Sequence, residues 1–228
     1  MTLTISVIIP AIDEAEVIEA AIGSALQAGA DEILLADGGS SDATCDLAKE
    51  CGVRVLTSET GRARQQNVGA NSAAGDVLLF LHADCCLPES GLAEIRRQMC
   101  VDDSCVGGCF RQQIDQAGWI YRWIESGNLL RARTLKWAYG DQAIFVRSGI
   151  FRDIGGFPEI QIMEDLYFMK RLKRRGRLIY IDVPLQVSAR RWTRRGAIPQ
   201  TLRNWTMLLA VHLGVSPSTL ARFYSVLR

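Results

Sequence analysis

The sequence predicts an α/β protein with a Rossmann-like, mostly parallel central sheet, helices on both faces and helices at the C-terminus. Short apolar runs alternate with helix-period segments over the first 115 residues, and a β-α-β-α order closes into a parallel sheet covered on both sides. Two of those runs end in acids beside small residues: Glu32-Ile-Leu-Leu-Ala36 before Asp37-Gly-Gly-Ser-Ser-Asp42, and Val77-Leu-Leu-Phe-Leu-His-Ala-Asp84. Ligands of open α/β sheets gather at the carboxyl ends of strands. The two acids therefore mark one cleft for a polar ligand and a cation.

Each element follows from local pattern. Residues 4–9 form a strand that Pro10 closes, and residues 14–28 a helix with Val17, Ile18, Ala21, Ile22, Ala25 and Leu26 on one face, ended by Gly29. Strand 32–36 is followed by a helix that Asp42 caps, then by strand 53–56 and a helix over 61–74. Strand 77–81 and a helix over 89–99 complete the first half. Later come strands at 106–114 and 142–147 with an amphipathic helix at 118–131 between them. Glu164-Asp165 opens a helix ending near Arg175-Gly176, residues 178–181 and 185–189 are short strands, and the last forty residues are helical. We expect one domain over 1–228: a nucleotide-binding half (1–115), an acceptor and catalytic half (116–192) and a helical extension (193–228).

The net charge is only +1, yet residues 1–114 carry 7 basic and 17 acidic side chains and residues 115–228 carry 19 and 8. The acidic half suits a cation or a ribose, and the basic half suits phosphate or an anionic surface. Attraction between the halves and plain solvation account for the same asymmetry equally well. No nucleic-acid partner is expected. Seven cysteines, no CxxC pair, two histidines and no secretion signal argue for a reducing, cytoplasmic setting without structural zinc. The longest apolar stretch, residues 205–215, is shorter than the ~20 residues a spanning helix needs. It follows Arg190, Arg191, Arg194, Arg195 and Arg203, so it reads either as a helix covering the core or as a peripheral contact at the inner face of a membrane.

Val7-Ile-Ile-Pro-Ala-Ile-Asp-Glu14, the Asp37–Asp42 turn, Gly61-Arg-Ala-Arg-Gln-Gln-Asn-Val-Gly69, His82-Ala-Asp84, Gly155-Gly-Phe157 and Glu164-Asp165 occur in this order. Together they resemble the signature of family 2 glycosyltransferases over about residues 4–192. The resemblance implies a GT-A fold, a nucleotide-diphosphate sugar donor, a divalent cation (Mg²⁺ or Mn²⁺) and inversion at the anomeric carbon. Gly61–Arg64, Leu79–Asp84, Gly140-Asp-Gln142, Met163-Glu-Asp165 and Ser188-Ala-Arg-Arg-Trp192 further resemble a bacterial subgroup labelled arsenosugar-biosynthesis glycosyltransferases.

Chemistry gives these residues roles beside simpler ones. Asp37 suits acceptance of a base imide N–H, with Gly38 letting the backbone approach the nucleoside; an ordinary strand-to-helix turn explains the same residues. Glu14 has the same choice between nucleoside contact and helix N-terminal charge. Pro10 and Ala83 complete the donor-nucleotide set. Asp84 is the metal candidate, since Mg²⁺ and Mn²⁺ accept one carboxylate plus phosphates and waters. The family's more usual Asp-x-Asp has His82 at its first position here, where it contacts ribose or phosphate, ligates Mn²⁺, or packs at the strand end.

Arg62 and Arg64 open a helix whose free N–H groups favour anions. By resemblance Arg64 contacts base or phosphate, and Arg62 is solvent-facing or a helper. Asp165 matches the family's general base, with Glu164 orienting it or binding acceptor; the plainer reading is two acids complementing a helix dipole. Asp141 and Gln142 fall on the acceptor side of the family pattern. Arg190, Arg191 and Trp192 resemble the Gln-x-x-Arg-Trp element of processive synthases with Ser188 in place of Gln; they close over the diphosphate, or form a solvated face with Trp192 in the core. The implied function is transfer of one sugar to a small-molecule or lipid hydroxyl acceptor. A sugar nucleotidyltransferase would need a Gly-rich loop that Pro10-Ala-Ile-Asp-Glu14 does not offer. A nucleotide-binding scaffold that lost turnover is the other reading, for which His82 is the sequence hint.

Overall fold

The structure is a computed structural model and describes residues 2–226, without the side chains of 191, 194, 195, 212 and 222–226. Its first half runs β1 (Ile5–Ala11), α1 (Ile18–Gln27), β2 (Glu32–Asp37), α2 (Thr44–Glu50), β3 (Arg54–Thr57), α3 (Arg62–Ser72), β4 (Val77–Phe80), β5 (Cys85–Cys86) and α4 (Gly91–Val101). There follow β6 (Cys105–Asp115), α5 (Trp119–Leu135), a 3₁₀ turn (Gly140–Gln142), β7 (Ile144–Arg147), α6 (Ser148–Asp153) and α7 (Glu164–Leu172). β8 (Arg177–Ser188), α8 (Arg190–Arg195), α9 (Ala197–His212) and α10 (Pro217–Val226) end the described chain.

Among the described residues the strands form one sheet in the order β3-β2-β1-β4-β7-β6-β8-β5. It is mixed: β3-β2-β1-β4 and β6-β8 pair in parallel, whereas β7 runs against both its neighbours and β5 against β8. β1 and β4 are buried on both faces, which is why they read as continuous apolar runs without alternation. Val7, Ile9, Leu35 and Leu79 pack on one side with Ile18 and Ile22 of α1 and Leu92 and Ile95 of α4. Ile8, Leu34 and Phe80 pack on the other with Ala63 and Ala70 of α3, Phe151 of α6 and Phe168 of α7.

Several boundaries differ from expectation, each for a physical reason. Pro10 does not close β1, which continues to Ala11 with Pro10 opposite Ala36. Pairing of β1 with β4 has already ended at Ile8 and Phe80, so the missing Pro10 N–H forfeits no ladder bond. The first helix starts at Ile18 instead of residue 14, because Glu14 to Val17 form a turn in which the Glu14 carbonyl accepts from Val17 and Ile18. The expected strand 142–147 begins only at Ile144, after the 3₁₀ turn. The two short strands at 178–181 and 185–189 are one strand, β8: its partners on β6 jump from Phe110–Ile181 to Arg111–Pro184, leaving Asp182 and Val183 as a bulge that accommodates the proline. The helix of Glu164-Asp165 ends at Leu172, and α6 was not foreseen.

This topology puts β1 between β2 and β4, so Ala11, Asp37 and the His82–Asp84 segment leave the same edge of the sheet side by side.

Candidate active site

Asp37 is buried at the end of β2 and is held by its own loop. Its carboxylate accepts from the N–H of Gly39 at 3.0 Å, and from the N–H of Ser40 at 3.1 Å and its hydroxyl at 2.5 Å. Asp42 is not the cap expected of it, since Ala43 is the N-cap residue of α2; from one residue earlier it accepts from the Thr44 N–H at 3.0 Å and the Ala15 N–H at 3.1 Å, which ties the turn after β1 to the turn after β2. Asp13, whose φ is 52°, accepts from the Ser41 N–H at 2.8 Å. Gln65, which the sequence did not single out, caps both strand ends: its Nε2 donates to the Ala11 carbonyl at 2.7 Å and the Ala36 carbonyl at 3.0 Å. Pro10, Gly38 and Glu14 border this corner.

Arg62 and Arg64 diverge. Arg64 lies at the surface, paired with Glu59 and, at 3.2 Å, with Glu159. Arg62 instead turns to the other side of the cleft, where its Nη1 donates to Glu164 Oε1 at 3.2 Å. Asn67, on the same helix, exchanges two hydrogen bonds of 2.9 Å with the backbone N–H and carbonyl of Phe157. That pairing explains why the Gly155-Gly156-Phe157 segment belongs to the site. Gly156 has a φ of 66°, and an added Cβ would stand 2.7 Å from Asn67 Oδ1.

Glu164 and Asp165 are both buried at the start of α7, preceded by Met163 in the left-handed region (φ 66°). A non-glycine residue held there is strained, and such strain collects at functional sites. Asp165 accepts from the N–H of Gly140 at 2.8 Å and of Leu166 at 2.7 Å. Burial and the neighbouring Glu164 carboxylate push the Asp165 carboxyl up to about 6, against the pull of the Gly140 N–H and of Arg62. Gly140 is also pressed against the His82 ring, and a Cβ there would lie 2.2 Å from Nε2. His82, Ala83 and Asp84 are all buried.

Beside this corner, Asp141 Oδ2 accepts from Gln112 Nε2 at 3.0 Å, and Gln112 in turn accepts from Asn128 of α5 at 2.6 Å. Gln142 turns inward. It is fully buried and accepts from Arg131 at 3.1 Å and from the Tyr139 N–H at 3.2 Å. The Arg131 guanidinium lies 3.8 Å from the centroid of the Tyr139 ring. Burial raises the Tyr139 hydroxyl well above its ordinary range, keeping it a neutral donor.

The C-terminal arm closes the other rim. Arg190 Nη2 pairs with Glu14 and lies 3.6 Å from Asp84 Oδ2. Trp192 is buried in the main core, and the side chain of Arg191 lies outside the described residues. Asp84 is the carboxylate that the segment after β4 offers a divalent cation, and no cluster of three His, Cys, Asp or Glu side chains occurs among the described residues. One hard oxygen donor fits a cation that takes its other ligands from diphosphate and water.

The sheet order, the acid at each strand end and the buried carboxylate pair across the cleft define a transferase with an α/β GT-A fold. The chain belongs to glycosyl transferase family 2, whose profile matches residues 6–200. Among solved structures it is similar to Staphylococcus aureus TarS 1–349, with a TM-score of 0.67 at 16% identity over 92% of this chain and 65% of that one. It is likewise similar to glucosyl-3-phosphoglycerate synthase from Mycobacterium tuberculosis in complex with Mn²⁺, UDP and glucosyl-3-phosphoglycerate. There the TM-score is 0.60 at 17% identity, over 80% of this chain and 70% of that one. The chain thus spans about 65% of the length of the TarS fragment. No curated protein sequence matches it.

Proposed function

We propose that this chain moves a single sugar from a nucleotide-diphosphate sugar to a hydroxyl acceptor, with inversion at the anomeric carbon and Asp165 as general base. The observation that carries the reading is Asp165 itself, a carboxyl buried beside Glu164, gripped by two backbone N–H groups and raised to about 6. Such a group is ionised at neutral pH yet basic enough to take a proton. The acceptor oxygen attacks the anomeric carbon, the bond from that carbon to the diphosphate oxygen breaks, and the acceptor proton passes to Asp165. Arg62 donates to Glu164 beside the base and so fixes where that neighbouring carboxylate stands. The Asp37 corner receives the nucleoside, and Arg190 offers its guanidinium to the diphosphate. Asp84 would hold Mg²⁺ or Mn²⁺, which when bound neutralises charge on the departing diphosphate. The resemblance to TarS crystallised with UDP-GlcNAc and to the mycobacterial synthase crystallised with Mn²⁺ and UDP supports this donor class.

Seven cysteines with no CxxC pair suit a reducing, cytoplasmic setting. Acceptors to assay are small hydroxylated metabolites, arsenic-bearing ones included because of the subgroup resemblance, together with sugars and lipids. The test is a panel of UDP- and GDP-sugars with Mg²⁺ or Mn²⁺, scored for binding, donor hydrolysis and transfer. Release of nucleoside diphosphate with the sugar's anomeric configuration inverted is the expected result. Failure to bind any nucleotide sugar would sink the reading, and tight binding without turnover across the acceptor panel would leave a nucleotide-binding scaffold.

A further inference from the structure

We propose that the joint outer face of α5 and α9 docks on the surface of an anionic lipid bilayer. On α9, Ile198, Leu202, Trp205 and Leu209 recur at helical spacing and form one stripe. On α5, Trp119 and Trp123 stand one turn apart. All six are exposed, Trp119 to 79% and Leu209 to 60%. The two stripes are continuous. The Trp123 and Trp205 ring centroids lie 5.5 Å apart, and Trp205 crosses over Gly127, where an added Cβ would come within 3.9 Å of its ring. At one end Trp119 and Ile198 border a shallow apolar cleft of about 350 Å³.

The core has no need of this face. α5 already buries Ile124 and Ala132, and Trp192 fills the core beneath the arm. A continuous exposed apolar surface of this kind marks a partner. No described helix is long and apolar enough to cross a membrane, so contact with lipid would be in the plane of the interface.

Charge selects the partner. Besides Arg190, which pairs with Glu14 in the cleft, residues 183–228 contain six arginines and not one Asp or Glu. On α5 the single acid, Glu125, is turned inward to accept from the Ile114 N–H at 2.6 Å. A second copy joined through the same face would set this acid-free, arginine-rich segment against itself. Anionic headgroups complement it, and tryptophan side chains favour the boundary between headgroups and hydrocarbon.

The test uses the full chain with vesicles of phosphatidylcholine, alone or mixed with phosphatidylglycerol, read by co-sedimentation and by tryptophan quenching with brominated acyl chains. The expected result is binding to the anionic vesicles at low salt, loss of binding as salt rises, and quenching that shows the rings entering the hydrocarbon boundary. Trp119→Ser/Trp205→Ser should weaken binding by about tenfold or more, with an unchanged far-ultraviolet circular dichroism spectrum. No sedimentation with anionic vesicles at low salt would overturn the proposal. So would equal binding to neutral vesicles, or binding without quenching. Lipid-free dimerisation that the double variant abolishes would likewise overturn it, because the face would then belong to a second copy.

Discussion

Gly140 donates its backbone N–H to Asp165 Oδ2 at 2.8 Å while its Cα lies against the imidazole of His82. One glycine thereby joins the segment after β4 to the start of α7, and no side chain fits between them. The left-handed residues Ala143 and Met163 stand just after Gln142 and just before Glu164. The corner is held under backbone strain by the sheet and helices around it.

Gly140→Ala is expected to be among the most damaging small substitutions in the chain, since its Cβ would lie 2.2 Å from His82 Nε2 and 2.6 Å from Cε1. A stability loss of about 1–3 kcal/mol by chemical denaturation is typical of such overpacking. Adding His82→Ala should recover most of it, giving a clear coupling in a double-mutant cycle. Additive effects would show that the two residues do not meet.

Asp165→Asn preserves shape, so donor binding should stay near normal while transfer slows by roughly 10²–10⁴-fold. Glu164→Gln should cost less. Single-turnover assays at saturating donor make the comparison. Near wild-type turnover in Asp165→Asn would remove Asp165 from the chemistry, and joint loss of donor binding would make it structural.

The raised Asp165 carboxyl also sets pH dependence. The base must be ionised, so turnover should climb as pH rises through about 6 and level off above it. For stability the sign is opposite. Between the ordinary carboxylate range and about 6 the folded protein holds a proton that the unfolded chain has released, so Asp165 lowers stability as pH rises through that window. Asp165→Asn should therefore lose this fall in stability between acid and neutral pH, apart from a pH-independent cost for the backbone N–H of Gly140 or Leu166 that its amide group no longer accepts from. Melting curves of both proteins at acid and neutral pH would expose a wrong sign.

Asp84→Ala should abolish divalent-dependent binding of a nucleoside diphosphate, because Asp84 is the one carboxylate placed at that strand end, and His82→Ala should be milder. Titration calorimetry with and without Mn²⁺ reads both. Undiminished metal dependence in Asp84→Ala would send the cation elsewhere, and an equal loss in His82→Ala would make the histidine a ligand.

Asn67→Ala removes both hydrogen bonds to Phe157, each 2.9 Å, and leaves the Gly-Gly-Phe backbone without them. We expect a loss of about 1–3 kcal/mol in denaturant unfolding. A neutral effect would mean that water replaces the amide.

The sequence by itself determined the fold class and most elements, because these depend on short-range pattern. The runs at β1, β2 and β4 are apolar enough to be buried on both faces, and turn residues separate them from the helices. It also marked Asp37, Asp84, Glu164 and Asp165, since acids at strand and helix ends stand out against apolar neighbours. Only the tertiary structure decided how side chains choose partners across long separations. Arg62 and Arg64 are both exposed arginines at one helix start, yet the first meets Glu164 across the cleft and the second meets Glu59 and Glu159 at the surface. Gln65, Asn67 and Gly140 stand inside the sequence motifs without a role of their own and acquire one from the backbones and side chains brought against them. The union of β8 across its bulge and the meeting of Trp123 with Trp205 likewise depend on sheet order and helix packing, which local pattern does not specify.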